Sequence, residues 1–149
     1  MTAPIHIRAA TPADAGSLAS LSGQLGYPTE ANAIARRLRD IEEHRTGTVL
    51  AAQVDGAVAG WAEVSAQFHL VHDARVELAG LVVDEGARGS GIGAALLHAA
   101  EAWAREHGYA ELVVRSNVIR ARAHRFYLRE GYTENKRQAV FVKNVRREG

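Results

Sequence analysis

The chain has 149 residues, 47% of them hydrophobic and 23% charged, a balance that suits one globular core and predicts a single domain over residues 1–149. Eighteen Lys and Arg against 17 Asp and Glu leave a net charge of +1, so bulk charge gives no reason to expect nucleic acid or an anionic membrane as partner. The absence of cysteine excludes disulfides, thiolate metal sites and an acyl group parked on sulfur. With no apolar run of about 20 residues and no leader-like start in MTAPIHIRAA, a soluble cytoplasmic protein is expected.

In chain order, Ile5 to Ala9 reads as a first strand, and Thr11-Pro12-Ala13-Asp14 as a helix start with Thr11 capping and Pro12 in the first turn. That helix runs to about Leu21. Leu25-Gly26-Tyr27-Pro28 breaks the pattern, and Ala31 to Glu43 resumes it with Ile34, Leu38 and Ile41 on one face. From Thr48 the period shortens: Val49 to Val54 and Val58 to Ala66 form a hairpin about Asp55-Gly56. Arg75 to Val83 is the next strand. Gly91 to His107 is the longest helix, stopped by Gly108. Ala110 to Arg115 makes a fifth strand, Ile119 to Glu130 a fourth helix closed by Gly131, and Ala139 to Val145 a last strand. This order predicts an α/β fold with a mixed sheet flanked by helices.

The segment Leu81 to Leu97 carries a strand into the long helix through a turn rich in glycine. A helix start leaves N–H groups unpaired and carries the positive end of the helix dipole, so it favours phosphate oxygens, and glycines remove Cβ atoms that would block them. Arg88 adds a positive charge beside the turn. Gly89-x-Gly91-x-x-Ala94 also satisfies the loose dinucleotide fingerprint, and Arg115 offers a partner for an NADP phosphate. Only about 55 residues follow the turn, however, too few for a full dinucleotide half plus a substrate domain.

Arg88-Gly89-Ser90-Gly91-Ile92-Gly93 resembles the signature of the GNAT family of N-acetyltransferases: Gln or Arg, two residues, Gly, one residue, then Gly or Ala. A second element of that family, Ala-x-x-Phe-Tyr-x-x-x-Gly-Phe/Tyr, is matched by Ala123 to Tyr132, preceded by Asn117. Leu25-Gly26-Tyr27-Pro28 and the run Arg122 to Tyr127 are similar to the small-amine and aminoglycoside 6'-N-acetyltransferase branch. The resemblance implies a GNAT-like sheet of six to seven strands with about four helices and acetyl-CoA as co-substrate, without a metal. It implies that the N–H groups of Arg88, Gly89, Ser90, Gly91, Ile92, Gly93 and Ala94 cradle the pyrophosphate. Leu81, Val82 and Val83 would pair with the pantetheine arm, and Asn117 would hold that arm from the neighbouring strand end. It also implies a homodimer through the C-terminal strands, for which Ala139 to Val145 offers an apolar edge.

An amine acceptor is mostly protonated at neutral pH, so a base is needed. Glu77 stands eleven residues before Arg88, the spacing of the general base in some family members, and Tyr127 matches the family's general acid. A phenol suits proton donation to a thiolate leaving group. The expected acceptor is a small-molecule primary amine, with a peptide or protein amine as the alternative and a non-catalytic acyl-CoA sensor as the non-enzymatic one. Gln24 to Pro28 and Gln67 to Asp73, with His69 and His72, are the segments expected to shape the acceptor side. Arg120, Arg122, Arg125 and Arg129 read as a solvated face rather than a nucleic-acid contact.

Overall fold

The computed structural model describes residues 3–115 and 120–147. Two compact units result, Met1–Arg115 and Ser116–Gly149. In the first, β1 (His6–Ala9) leads into helices α1 (Ala15–Leu25) and α2 (Ala31–His44), then β2 (Gly47–Val54), β3 (Ala57–Gln67), β4 (Arg75–Val83), α3 (Ile92–Glu106) and β5 (Leu112–Val114). The sheet order is β1-β2-β3-β4-β5. Neighbours are antiparallel up to β4, and β5 is parallel to β4, so the sheet is mixed as expected.

Local chemistry sets these boundaries. Asp55 (φ 51°) and Gly56 (φ 80°) both lie in the left-handed region, the backbone that a two-residue turn needs to match the twist of β2 and β3. Ahead of α1, Pro12–Asp14 forms a 3-10 turn. Asp14 takes two bonds from the Arg8 guanidinium, at 2.8 and 2.9 Å, and one from the Thr11 N–H at 2.8 Å. The Arg8 bonds hold the Asp14 carboxyl down at about 2. A depressed carboxyl stabilises the fold above its unfolded pKa near 3.8, and that stability fades as pH falls through 2. Asp14→Asn should therefore lower unfolding free energy at pH 6 by about 1–2 kcal/mol, with the gap closing between pH 4 and pH 2 in urea titrations.

Burial alternates strictly along β3. Gly60, Ala62, Val64 and Ala66 are buried, while Trp61, Glu63 and Ser65 on the opposite face are only partly covered. Helix α3 packs on β3 and β4, close enough that a Cβ on Gly60 would lie 3.2 Å from both Ile92 and Leu96. Helices α1 and α2 cover the other face, where Leu18 and Leu38 join Ala10, Val49 and Ala51 in a cluster that Ile34, Ile41 and Trp61 pack against.

One irregularity positions everything that follows. Glu63 pairs with Gly80 but Val64 pairs with Leu78, so Ala79 is a surplus residue on β4. Before it, Glu77 lies opposite Ser65 on the α1/α2 face; beyond it, Gly80 lies opposite Glu63 on that same face.

The second unit contains α4 (Ala121–Arg129), closed by Gly131 at φ 93° with the Tyr132 N–H bonded to the Tyr127 carbonyl at 2.9 Å. The strand expected at Ala139 to Val145 is not formed, and the sheet has five strands among the described residues rather than six or seven. That segment is rich in β-branched residues but forms no strand ladder among the described residues, and Val140, Phe141 and Val142 stay 84–91% exposed. Among the described residues, no helix is long and apolar enough to cross a membrane.

Candidate active site

The glycine turn is tied to α1 at its start. The Gln24 amide donates to the Asp84 carboxylate at 2.8 Å, and its carbonyl oxygen accepts the Glu85 N–H at 2.9 Å. Sequence reasoning gave Gln24 to the acceptor side; the structure uses it to anchor this turn. After a 3-10 turn at Glu85–Ala87, Gly89 (φ 83°) and Gly91 (φ 88°) adopt left-handed backbone, and the Ser90 hydroxyl donates to the Ala87 carbonyl. A Cβ at Gly89 or Gly91 would meet no atom within 4 Å. The glycines are thus required by backbone conformation, not by crowding from protein atoms. Gly91 caps α3, and its carbonyl accepts the Ala95 N–H at 3.0 Å. The N–H groups of Ile92, Gly93 and Ala94 precede that bond and have no intrahelical acceptor.

Among the described residues, the strand feeding this turn has an unpaired stretch along one edge. Pairing of β4 with β5 covers Val76↔Leu112, Glu77↔Val113 and Leu78↔Val114 and stops there, at the residue before the bulge. From Gly80 to Val83, β4 bonds to β3 on one side and, among the described residues, no strand pairs with its other side, which suits an added extended chain.

Glu77 faces the α1/α2 side, where its Oε1 accepts from the Arg115 Nε at 2.8 Å. That ion pair bridges β4 to the end of β5 and gives Arg115 a structural partner in place of a nucleotide phosphate. In the second unit, Tyr127 packs edge-on against Phe126 (5.1 Å between ring centroids) and Tyr132 (5.9 Å), and burial pushes its phenol up to about 12. Asn117 lies outside the described residues. Arg122, Arg125 and Arg129 are exposed, as a solvated face requires, and the Arg129 guanidinium lies 5.5 Å from the Phe126 ring centre.

A cavity of about 380 Å³ lies between α1, α2 and the sheet, with Tyr27, Ile34, Arg37, Trp61, Glu63 and Gly80 among its lining. Of the two segments expected to shape the acceptor side, only the one around Tyr27 contributes to it; no residue from Gln67 to Asp73 does. Glu63 and Arg37 were not anticipated. The one available signal was Glu63 within the apolar alternation of β3, which reads equally well as a solvated strand face. Instead, burial and then the neighbouring Glu77 raise its carboxyl pKa. The Trp61 indole N–H is buried without a hydrogen-bond partner among the described residues. The cavity reaches β4 at Ala79 and Gly80, where pairing with β5 has just ended.

Residues 18–132 match the acetyltransferase (GNAT) family. The chain belongs to that family. As a GNAT protein it is an acetyl-CoA-dependent N-acetyltransferase, and the open edge and phosphate-type turn suit a long co-substrate that ends in phosphates. It is 34% identical over 140 residues to aminoglycoside N(6')-acetyltransferase type 1 of Stenotrophomonas maltophilia, covering 91% of this chain and 90% of that one. It is also 36% identical over 136 residues to aminoalkylphosphonate N-acetyltransferase of Salmonella typhimurium, covering 87% and 86%. The fold is shared with the aminoglycoside N-acetyltransferase AAC(6')-Iy, solved in complex with CoA, at a TM-score of 0.87 and 20% identity over 96% of this chain and 97% of that one.

Proposed function

We propose that this GNAT protein acetylates a primary amine of a small molecule by direct attack in a ternary complex. One observation carries the proposal: the cavity under α1 and α2 meets β4 at Ala79 and Gly80, where the strand's free edge begins. The two relatives above one-third identity are named for an aminoglycoside and an aminoalkylphosphonate, both amine-bearing small molecules, which favours this acceptor class over a protein amine.

Acetyl-CoA supplies the activated acetyl thioester. The N–H groups from Arg88 to Ala94 would hold its pyrophosphate, and the free edge at Leu81, Val82 and Val83 its pantetheine arm, with Asn117 as a further ligand. A main-chain N–H at Val82 or Val83 would polarise the thioester oxygen. Glu77 takes the proton of the ammonium, directly or through one water, and Tyr127 donates a proton to the departing sulfur. We further propose that the whole chain acts as one cytoplasmic acetyltransferase domain and that it forms a homodimer through the exposed segment Ala139 to Val145. Sedimentation of the wild type beside a Phe141→Ser variant tests that assembly.

Assaying free CoA release across a panel of small amines and peptides tests the reaction. Turnover confined to peptides would overturn the small-amine reading. The floor of the cavity gives a sharper check. A Cβ on Gly80 would fall 2.8 and 2.9 Å from Trp61 ring atoms, so Gly80→Ala must push the indole into the cavity. Overpacking of this kind costs about 1–3 kcal/mol, and an acceptor KM raised about tenfold with acetyl-CoA affinity unchanged is expected in steady-state kinetics.

A further inference from the structure

Building on the small-amine acetyl transfer proposed above, we propose that the cavity selects a short primary amine whose far end carries a carboxylate or phosphonate, with Glu63 receiving the ammonium and Arg37 the anion. The lining holds one acidic and one basic side chain. Neither forms an ion pair among the described residues. Glu63 stands on the sheet floor beside Gly80, at the start of the free β4 edge, which puts the ammonium end where the acetyl donor would lie. Arg37 stands on α2 in the helical wall, and its planar fork suits two oxygens of a carboxylate or phosphonate. The same lining includes Ile34, Leu38 and Trp61, apolar surface suited to a short alkyl chain. The volume of about 380 Å³ is at the low end for ligand sites.

Charge argues in the same direction. A partly buried carboxylate with no cationic partner is costly until an ammonium arrives, and Glu77 close by adds to that cost. A polycationic acceptor would bring one amine to Glu63 and force others toward a guanidinium. Its room for expansion would be the neighbouring recess of about 230 Å³ lined by Asp40, His44 and Glu63, which makes a polycation the proper rival.

The test compares kcat/KM for 3-aminopropylphosphonate, n-butylamine and neamine, with wild type, Arg37→Met and Glu63→Gln. Calorimetric binding of 3-aminopropylphosphonate in the presence of CoA is measured in parallel. A charge-assisted bond of the usual strength predicts a phosphonate preference over butylamine of about tenfold or more. Arg37→Met should bring that ratio close to one, and Glu63→Gln should lower kcat/KM for both amines. Arg37 is exposed on its helix, so acetyl-CoA affinity and thermal unfolding serve as controls for an intact fold. Preference for neamine or butylamine, or a phosphonate ratio that ignores Arg37→Met, would overturn the inference. Turnover of butylamine or neamine without phosphonate binding sinks the anion subsite and keeps the transferase. Phosphonate binding that depends on Arg37, with no turnover of any amine, upholds the subsite and sinks the acetyl transfer.

Discussion

Gly91→Val should weaken acetyl-CoA binding by about a hundredfold or more, because it removes a backbone conformation that no β-branched residue adopts readily. Gly91 sits at φ 88° and caps α3. The valine side chain would have free space, since a Cβ there meets no protein atom. Its cost lies in the left-handed backbone itself, about 1–3 kcal/mol for a residue held there. Relief of that strain rotates the peptide joining Gly91 to Ile92 and disorganises the N–H groups that open the helix. Equilibrium dialysis with acetyl-CoA reads the result. Gly91→Ala should fall between valine and wild type, as a conformational cause demands. Wild-type affinity in Gly91→Val would remove the turn as the pyrophosphate site.

Tyr127→Phe should lower kcat by about a hundredfold or more while leaving acetyl-CoA affinity within a few-fold, the range expected when a proton donor is lost. The ring keeps its packing against Phe126 and Tyr132 in the variant, so thermal stability should barely move. Burial pushes the phenol up to about 12, and the group therefore keeps its proton through neutral and mildly alkaline pH. No alkaline fall in kcat below about pH 10 should be traceable to it, and a wild-type limb in that range should persist in the phenylalanine variant. Full turnover in a well-folded Tyr127→Phe protein would assign the proton transfer elsewhere.

Much of the fold was legible because its signals are local. Arg75–Val83 was placed to the residue, and Gly91, Gly108 and Gly131 marked helix ends because left-handed backbone is needed there. The glycine turn was legible for the same reason, although its glycines answer to φ and not to crowding. The remainder depends on partners that sequence does not display. Ala139 to Val145 has strand-like residues, yet a strand exists only with a neighbour to bond. Arg37 is one of several cations on α2, and only the cavity singles it out. Glu63 alternates like any solvent-facing strand residue until α1 and α2 close over that face.

The surplus Ala79 acts on β4 as a one-letter insertion acts on a reading frame. Upstream of it, even-numbered Val76 and Leu78 oppose the α3 face; downstream, odd-numbered Leu81 and Val83 take that side. Deleting Ala79 would remove the bulge and leave Gly80 toward the cavity and Leu81 toward α3, whereas a regular ladder that kept Ala79 would turn Leu81 toward the cavity and Gly80 toward α3. A relative one residue shorter here keeps every face when the gap is set at Ala79, whereas one of equal length with an unbroken ladder would place residues of the same alignment column in opposite layers.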